Sequence, residues 1–338
     1  MTFLRSVIIT GGTSNLGYHA AATIAREHPD YLVVISSRSD GNDAAGRINK
    51  ALGQSNVVFL KLDLAGLDSV RAYADNLRRL SKEFPPIQAL LLNAGLQFPG
   101  QTRKAAVTGI EQTFAINHVG HALLFHLLYP LLLPAPGGGG ARVVITSSGT
   151  HDPDQKTGGF PVPVFTTAEE VAHPPPAVAT AAAAAAAGDG RVHYSTSKLC
   201  NVLWAYALNR RLQQQRAPQI TVTVFDPGLM PGTGLAREYG RVSRFVWNKI
   251  LPRMLPVIRL AMGSDNVHTA EKSGANLARL AVGPDVEGIS GKYFEGAKEI
   301  PSSKASYDQS KQDDLWAWTI DFLAKGNVAE AVQWDELR

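Results

Sequence analysis

The chain has 338 residues, of which 45% are hydrophobic and 18% charged, a composition that predicts a soluble globular protein with a sizeable core. Lys and Arg exceed Asp and Glu by only four, and this surplus is dispersed, so we predict no nucleic-acid partner. Cys200 is the only cysteine, which excludes an intrachain disulfide and a cysteine cluster for a metal and indicates a reducing, cytoplasmic setting.

Two apolar stretches bear on targeting. The opening "MTFLRSVIITGG" begins an apolar strand almost at once, which we interpret as leaving no room for a secretion leader. The most apolar later run, residues 121–134, contains His and Pro and is shorter than the roughly 20 residues that span a bilayer. We therefore expect it to form a buried helix.

Strand-like apolar runs alternate with segments of helical spacing along most of the chain. Such repeated strand-helix-strand units predict an α/β fold, a single Rossmann-type domain over residues 1–338 with a doubly wound parallel sheet of about seven strands. The predicted strands cover residues 7–10, 31–36, 57–62, 89–92, 142–146, 220–225 and 291–294.

Two segments interrupt this alternation. Residues 151–190 contain "HPPP" and seven consecutive alanines, which predicts an inserted, mobile flap. Residues 229–265 follow the sixth strand and are predicted to include a substrate lid.

A Gly-rich turn follows the first strand. "TGGTSNLG", residues 10–17, lies between a strand and a helix, where backbone amides and a helix N-terminus can hold a pyrophosphate. Asn15 replaces the middle glycine of the usual pattern, and Asn tolerates positive φ better than most residues. The turn therefore predicts a dinucleotide site.

The end of the second strand bears on which dinucleotide binds. An NAD-binding fold usually places an acid there, whereas "SSRSDG" provides Ser37 and Arg38. A guanidinium can hold a 2′-phosphate through paired donors, so the sequence favours NADP(H) over NAD(H).

The motifs together resemble those of the short-chain dehydrogenase/reductase family. They are "TGGTSNLG", "LDL" at 62–64, "LNAG" at 92–95, "FAINHVGH" at 114–121, "VVITSSGT" at 143–150, "YSTSK" at 194–198 and "DPG" at 226–228. The resemblance implies a catalytic tetrad of Asn117, Ser148, Tyr194 and Lys198. With the turn and the second strand, it implies cofactor binding by Gly11, Thr13, Ser14, Asn15, Leu16, Gly17, Ser37, Arg38, Asp63, Leu64, Asn93, Ala94, Gly95, Tyr194, Lys198, Pro227, Gly228 and Thr233.

Within the family, the chain looks most like the branch of protochlorophyllide reductases and retinol-dehydrogenase-like enzymes. "SKLCN" at 197–201, "DPGLMPGTGLAREYG" at 226–240 and the insertion before the tyrosine carry this likeness. Protochlorophyllide reductases have a cysteine where this chain has Leu229, which weighs against photochemical reduction. Gly232 also stands at one position expected for the carboxamide-binding threonine, and Thr233 at the next.

The spacing of Tyr194 and Lys198 suggests their chemistry. Residues four apart share a helix face, and a nearby ammonium favours the phenolate of a tyrosine whose unperturbed pKa is about 10. We expect Tyr194 to be the general acid for carbonyl reduction, Lys198 to lower its pKa and bind the nicotinamide ribose, and Asn117 to hold a water. Ser148 is expected to bind the carbonyl oxygen, with its neighbour Ser147 as the rival.

Several other residues have alternative interpretations. His118, His121 and His126 have a spacing that permits metal ligation, but no carboxylate or cysteine is near them in sequence, so we predict no metal and roles in helix packing. Cys200 is interpreted as a buried apolar residue, with a thiol near the substrate as the alternative.

Residues 237–263 combine cations with large apolar side chains. This composition fits a lid over the substrate, and it also fits a basic amphipathic helix on anionic lipid through residues 241–263. The position after "DPG", where the family has its substrate loop, favours the lid.

The sequence thus predicts an NADPH-dependent oxidoreductase that reduces a ketone or aldehyde on a fairly large, lipophilic molecule. Reduction of a conjugated C=C bond is the alternative within the same fold. A non-catalytic NADP(H)-binding regulator is the alternative of another class, although an intact tetrad argues against it. Substrate identity stays open, as does the choice between monomer and homodimer.

Overall fold

The structure is a computed structural model of the chain. It describes residues 3–79, 85–99, 108–132, 140–155, 157, 159–174, 190–215, 220–234, 240–325, 330 and 334. The alanine run at 181–187 and the last two prolines of "HPPP" lie outside the described residues.

A mixed sheet of eight strands forms the centre of the molecule. Its order is β3-β2-β1-β4-β5-β6-β7-β8, with parallel pairing throughout except between β7 and β8. The strands are β1 (Arg5–Thr10), β2 (Tyr31–Ser37), β3 (Val57–Lys61), β4 (Ile87–Leu92), β5 (Arg142–Thr146), β6 (Thr221–Asp226), β7 (Lys292–Glu295) and β8 (Lys298–Ile300). The predicted doubly wound fold is confirmed, and each predicted strand is present to within two residues at either end.

The antiparallel strand β8 is an addition to the predicted seven. It folds back on β7 after Gly296, whose φ of 56° supplies the left-handed conformation that such a tight reversal requires. Three residues with two exposed charges give no alternating pattern, so periodicity alone does not predict this strand.

Helices cover both faces of the sheet. The helices are α1 (Asn15–Glu27), α2 (Ala44–Leu52), α3 (Leu67–Arg79), α4 (Gln112–Phe114), α5 (Gly120–Leu128), α6 (Ala168–Ala172), α7 (Gly190–Gln214), α8 (Arg241–Phe245), α9 (Leu255–Met262), α10 (Ala270–Val282) and α11 (Gln309–Ala324). A π-helical turn (Ala115–Val119) joins α4 to α5, and a second (Val246–Ile250) follows α8. Short 3-10 turns occur at Tyr129–Leu131, Gly149–His151, Leu251–Arg253, Pro284–Val286 and Lys304–Tyr307.

Burial explains why this sheet is parallel and covered. Every residue of β4 and β5 is buried, as expected for strands with helices on both faces. One apolar core packs α1, α2 and α10 on one face, and a second core packs α3, α5, α7 and α11 on the other. Helix α5 is buried along its whole length, so the buried helix predicted for residues 121–134 is present as far as Leu128. A 3-10 turn with exposed Pro130 follows it, and residues 133–134 lie outside the described residues.

The first half of the predicted flap contains a helix that packs against the rest of the domain. Helix α6 packs against α11, with Ala168 and Ala172 buried, and the Ala168 amide donates to the Asp314 carboxylate at 2.7 Å. Trp318 of α11 also donates to the Glu169 carboxylate at 2.6 Å. The stretch from Phe165 to Ala172 is thus packed against the domain through buried apolar side chains and these bonds to α11. No helix in the described residues has the length and hydropathy needed to cross a bilayer.

Candidate active site

A cleft of about 740 Å³ opens at the carboxyl ends of the parallel strands. It lies where the strand order reverses between β1 and β4, the usual ligand position in open α/β sheets. All the predicted cofactor-binding residues line it. The structure therefore brings together Gly11, Thr13, Ser14, Asn15, Leu16, Gly17, Ser37, Arg38, Asp63, Leu64, Asn93, Ala94, Gly95, Tyr194, Lys198, Pro227, Gly228 and Thr233 around one space.

The Gly-rich turn has a backbone that side chains would obstruct. Gly11 adopts φ 70° and Asn15 adopts φ 47°, so Asn15 tolerates the left-handed conformation that the sequence pattern requires of it. A Cβ on Gly17 would lie 2.4 Å from the Gly11 carbonyl oxygen, so only glycine fits there. The first turn of α1 contains no acidic residue, which leaves its amides and dipole available to an anion.

The β2 side of the cleft is basic. Arg38 is exposed and lines the cleft, and no described side chain forms an ion pair with it. Asp40, the nearest acid in sequence, instead accepts hydrogen bonds from the Ala44 and Ala45 amides at the start of α2. Thr13 donates to Ser37 at 3.0 Å and ties the Gly-rich turn to the end of β2. Among the described residues, this side therefore provides a guanidinium that has no ion-pair partner, while the nearest acid in sequence is engaged by the start of α2.

The floor of the cleft is fixed by contacts between β1 and β4. The Asn93 side chain donates to the Thr10 carbonyl at 2.8 Å, while the Thr10 hydroxyl accepts from the Asn93 and Ala94 amides at 2.9 Å. A Cβ on Gly95 would lie 3.3 Å from Lys198 Nζ and 3.5 Å from Asn117 Oδ1. The absence of a side chain at Gly95 therefore keeps open the space in front of the lysine.

Tyr194 and Lys198 are both buried on the same side of α7. Lys198 Nζ lies 5.5 Å from the centroid of the Tyr194 ring and donates to the Thr146 carbonyl at 3.2 Å. Burial lowers the pKa of Lys198 to about 8, and the charge of Asp226 acts in the opposite direction. The ammonium is thus present at neutral pH close to the phenol.

The two candidate serines have different environments. Ser147 is buried and its hydroxyl donates to the Lys198 carbonyl at 2.9 Å, so it is occupied in joining β5 to α7. Ser148 is half-buried, and within the described part of the chain its oxygen accepts only a 3.3 Å bond from the Thr150 amide, which leaves its own hydrogen for a ligand. The carbonyl of Ser148 accepts from His151 Nδ1 at 2.7 Å, and His151 Nε2 accepts from the Ser303 amide. This geometry favours Ser148 as the group that meets a substrate.

Asn117 lies behind the cleft and does not line it. Its side chain accepts from the Leu96 amide and donates to the Leu96 carbonyl and to Ser197, each at 3.0 Å. Ser197 in turn donates to the Tyr194 carbonyl at 2.7 Å. The amide group therefore clamps the loop after β4 to the turn of α7 that carries Tyr194, which is a positioning role that the water-holding prediction did not include.

His121 forms a buried relay that the sequence did not indicate. Its Nδ1 lies 3.1 Å from the Asn117 carbonyl, which can only accept, so Nδ1 carries the hydrogen and Nε2 accepts from the Thr10 hydroxyl at 2.9 Å. Burial lowers the pKa of His121 to about 4, which keeps the ring neutral. The ring joins the π-helical turn at Asn117 to the end of β1. The spacing of His121 from His118 does not predict this contact, because its partner Thr10 is more than a hundred residues away in the chain.

A buried carboxylate holds the loop after β6. Asp226 accepts from the Gly228 amide at 3.0 Å and from the Asn266 side chain at 2.9 Å, and its Oδ2 would lie 3.2 Å from a Cβ on Gly149. Burial raises the pKa of Asp226 to about 6. Asp226 therefore fixes the "DPG" turn beside the residue that follows Ser148, a role that the motif itself did not assign.

Thr233 closes its own turn. Its hydroxyl donates to the Met230 carbonyl at 2.9 Å, and its carbonyl accepts from Trp247 at 2.9 Å. Gly232 takes φ 89°, which suits glycine at a place where the family pattern expects threonine. Thr233 lines the cleft but already satisfies a backbone acceptor.

The substrate side of the cleft is partly apolar. Phe160 of the insertion packs 5.8 Å from the Tyr194 ring, and Leu229, Met230 and Met262 line the same space. A second cavity of about 470 Å³ adjoins it and shares Phe160 and Met262. Phe160 and Met262 lie in the segments predicted as flap and lid, but the sequence analysis did not single them out because neither lies in a motif.

The remaining candidates lie away from the cleft. Cys200 is fully buried in the core, where burial raises the pKa of its thiol, and it does not line the cleft. His118 faces Thr319 at 3.1 Å, and His126 packs among tryptophan rings. Among the described residues, no group of three or more His, Cys, Asp or Glu side chains could hold a metal ion.

Two family models match the chain. A model of short chain dehydrogenases matches residues 5–158, and a model of an AcuH dehydrogenase domain matches residues 235–331. The first covers the Gly-rich turn, Asn117 and Ser148.

Curated relatives match over most of their length. The chain is 28% identical to the short-chain dehydrogenase TIC 32 B, chloroplastic, of Brassica napus, with 93% of this chain and 87% of that protein covered. It is 28% identical to human polyprenol dehydrogenase (93% and 83% covered) and 29% identical to mouse retinol dehydrogenase 14 (92% and 84% covered).

Solved structures share the fold. An uncharacterised protein of Mycobacterium paratuberculosis superposes with a TM-score of 0.64 at 23% identity, covering 95% of this chain and 94% of that one. The Pseudomonas aeruginosa RhlG/NADP active-site complex superposes with a TM-score of 0.57 at 21% identity, covering 86% and 94%.

Proposed function

Because the chain belongs to the short-chain dehydrogenase/reductase family, we propose that it is an NADPH-dependent oxidoreductase that reduces a ketone or aldehyde group on a large apolar molecule. The observation that carries the proposal is the convergence of Ser148, Tyr194 and Lys198 on one cleft, whose other side holds the Gly-rich turn and Arg38.

The cleft residues fit a nicotinamide dinucleotide phosphate. Gly17 and Gly95 stand where a Cβ would obstruct the backbone turn or the space before Lys198. The N-terminus of α1 suits a pyrophosphate, and Arg38, which forms no ion pair with any side chain that the structure describes, suits a 2′-phosphate. When bound, this group would supply the hydride that the substrate carbon accepts. The Pseudomonas structure of the same fold was solved with NADP, which supports this class of cofactor.

Tyr194 is the proton donor in the proposed reaction. As the substrate carbonyl is reduced, negative charge develops on its oxygen, and the phenol of Tyr194 would transfer its proton there. Ser148 would donate a hydrogen bond to the same oxygen, which strengthens as the charge grows. The ammonium of Lys198, 5.5 Å from the Tyr194 ring centroid, would stabilise the phenolate that remains.

Apolar surroundings support a lipophilic substrate. Phe160, Leu229 and Met262 line the cleft, and the adjoining cavity extends the space beyond Tyr194. Two relatives are named for polyprenol and retinol, both alcohols with long hydrocarbon portions. We propose that the substrate is of this general size and polarity.

The test is NADPH oxidation by the purified full chain across long-chain ketones, aldehydes and enones, with short polar carbonyls for comparison. We expect the long apolar carbonyls to react best, with one alcohol formed per NADPH consumed, as identified by mass spectrometry. Saturation of the C=C bond of enones with the carbonyl intact would contradict carbonyl reduction. Tight NADPH binding without turnover on any carbonyl would instead support a regulator.

A further inference from the structure

The segment after the "DPG" turn exposes an unusual amount of apolar surface. From α8 to α9, none of the residues assigned to helical turns is buried. Of the ten large apolar side chains exposed in the described residues, six lie here: Val242, Phe245, Ile250, Met254, Val257 and Leu260. Single exposed apolar residues are normal, but a concentration of this kind marks an interaction site.

The exposed side chains are on the outer side of the segment. Val242 and Phe245 are three apart on α8, and Val257 and Leu260 are three apart on α9, so each pair shares a helix face. The inner side is held by Trp247, which donates to the Thr233 carbonyl, and by Arg259, which donates twice to the Val267 carbonyl at 2.7 and 3.0 Å. Leu260 is 85% exposed although its neighbour Arg259 is anchored. We call these six apolar residues, together with the exposed cations Arg241, Arg244, Lys249 and Arg253, the outer lid face.

The charged side chains of this face are all cations. Arg241, Arg244, Lys249 and Arg253 are exposed, and residues 240–264 contain no Asp or Glu. None of these four cations lies within ion-pair distance of a carboxylate in the described residues. Apolar side chains surrounded by unpaired cations complement an anionic bilayer, whose headgroups attract the cations and whose interface accepts the apolar groups.

We propose that the outer lid face docks this protein on an anionic membrane surface. A second copy of the chain fits less well, because a two-fold contact would bring the same cations against each other. The segment also connects this face to the cleft, since Ala261 and Met262 of α9 line the adjoining cavity. Docking would therefore bring the substrate cavity next to the bilayer. This last consequence rests on the proposed function, whereas membrane binding itself does not.

The experiment is flotation of the purified full chain with phosphatidylcholine vesicles that contain about one third phosphatidylserine, compared with pure phosphatidylcholine. We expect binding to the anionic vesicles that weakens with salt and is much weaker on neutral ones. The double variants Arg241→Gln/Arg244→Gln and Val257→Ser/Leu260→Ser should each lower the partition coefficient by roughly tenfold or more.

Matched control variants remove cations or an exposed apolar side chain from other parts of the surface. Lys298→Gln/Lys304→Gln removes two exposed cations, and Leu4→Ser removes a side chain that is 62% exposed, and both variants should bind as the wild type does. Unchanged thermal midpoints and NADPH affinity in all variants would show that the fold and the cofactor site are intact. Failure of the wild type to bind anionic vesicles would overturn the proposal. The proposal would also be overturned if the wild type formed a dimer that Val257→Ser/Leu260→Ser dissociates and did not bind vesicles. Vesicle binding is measured without any substrate turnover, so a negative result in this assay can be told apart from failure of the proposed enzymatic function.

Discussion

Replacement of Arg38 by Gln tests the choice of cofactor. Arg38 lines the cleft at the end of β2 and has no ion-pair partner among the described residues, so its guanidinium is available for a 2′-phosphate. Hydrogen bonds to charged groups contribute about 1.5–3 kcal/mol, which corresponds to roughly 10- to 150-fold in affinity. Because Arg38 is exposed and water competes for the phosphate, we expect the lower part of this range, about 10- to 30-fold.

The assay is a fluorescence titration of NADPH and NADH with the wild type and the variant. The Kd of NADPH should rise by about 10- to 30-fold, while the Kd of NADH should change by less than about threefold because NADH lacks the 2′-phosphate. Arg47→Gln is the matched control: this arginine lies on α2 with its guanidinium 5.1 Å from the Tyr18 ring centroid, and it does not line the cleft. Equal weakening of both cofactors by Arg38→Gln would refute the reasoning.

Three further changes test the site. Gly17→Ala places a Cβ 2.4 Å from the Gly11 carbonyl oxygen, so NADPH should no longer raise the thermal midpoint, whereas Gly41→Ala meets no atom within 4 Å and should behave as the wild type. Ser148→Ala should lower kcat by about 10²-fold with little change in the free energy of unfolding. Ser147→Ala loses the bond to the Lys198 carbonyl and should lower the free energy of unfolding by about 1–3 kcal/mol in a urea titration. The reverse pattern would exchange the roles of the two serines. Because burial lowers the pKa of Lys198 to about 8, kcat/KM for reduction should fall as pH rises through 8 and the ammonium is lost, and a flat profile up to about pH 9.5 would contradict this.

Local conformational rules account for what the sequence predicted well. The strands follow from apolar runs of the right length, and the Gly-rich turn follows from a φ requirement that glycine, or Asn at position 15, can meet. Tyr194 and Lys198 lie on the same side of one helix because their spacing fixes it. Each of these features is decided within a few residues of the chain.

Long-range packing accounts for what the sequence left open. Ser147 and Ser148 are adjacent and chemically alike, and only the position of the Lys198 carbonyl across the α7 contact tells them apart. The clamp of Asn117 on Leu96 and the relay through His121 to Thr10 join elements that are distant in sequence. The anchoring of α6 depends on Asp314 and Trp318 of α11, which a composition rich in Pro and Ala nearby does not suggest.

The measurement that bears most directly on the proposed function is single-turnover carbonyl reduction by Tyr194→Phe with saturating NADPH and a substrate verified by product analysis. The change removes the phenolic proton and keeps the ring beside Phe160, so NADPH affinity should stay within about threefold while the rate falls by at least about 10²-fold. Tyr206→Phe is the control, because this tyrosine is bonded to Ser302 at 2.6 Å and does not line the cleft, and its rate should match the wild type. A near-wild-type rate for Tyr194→Phe, with chemistry limiting, would contradict the assignment of Tyr194 as the proton donor.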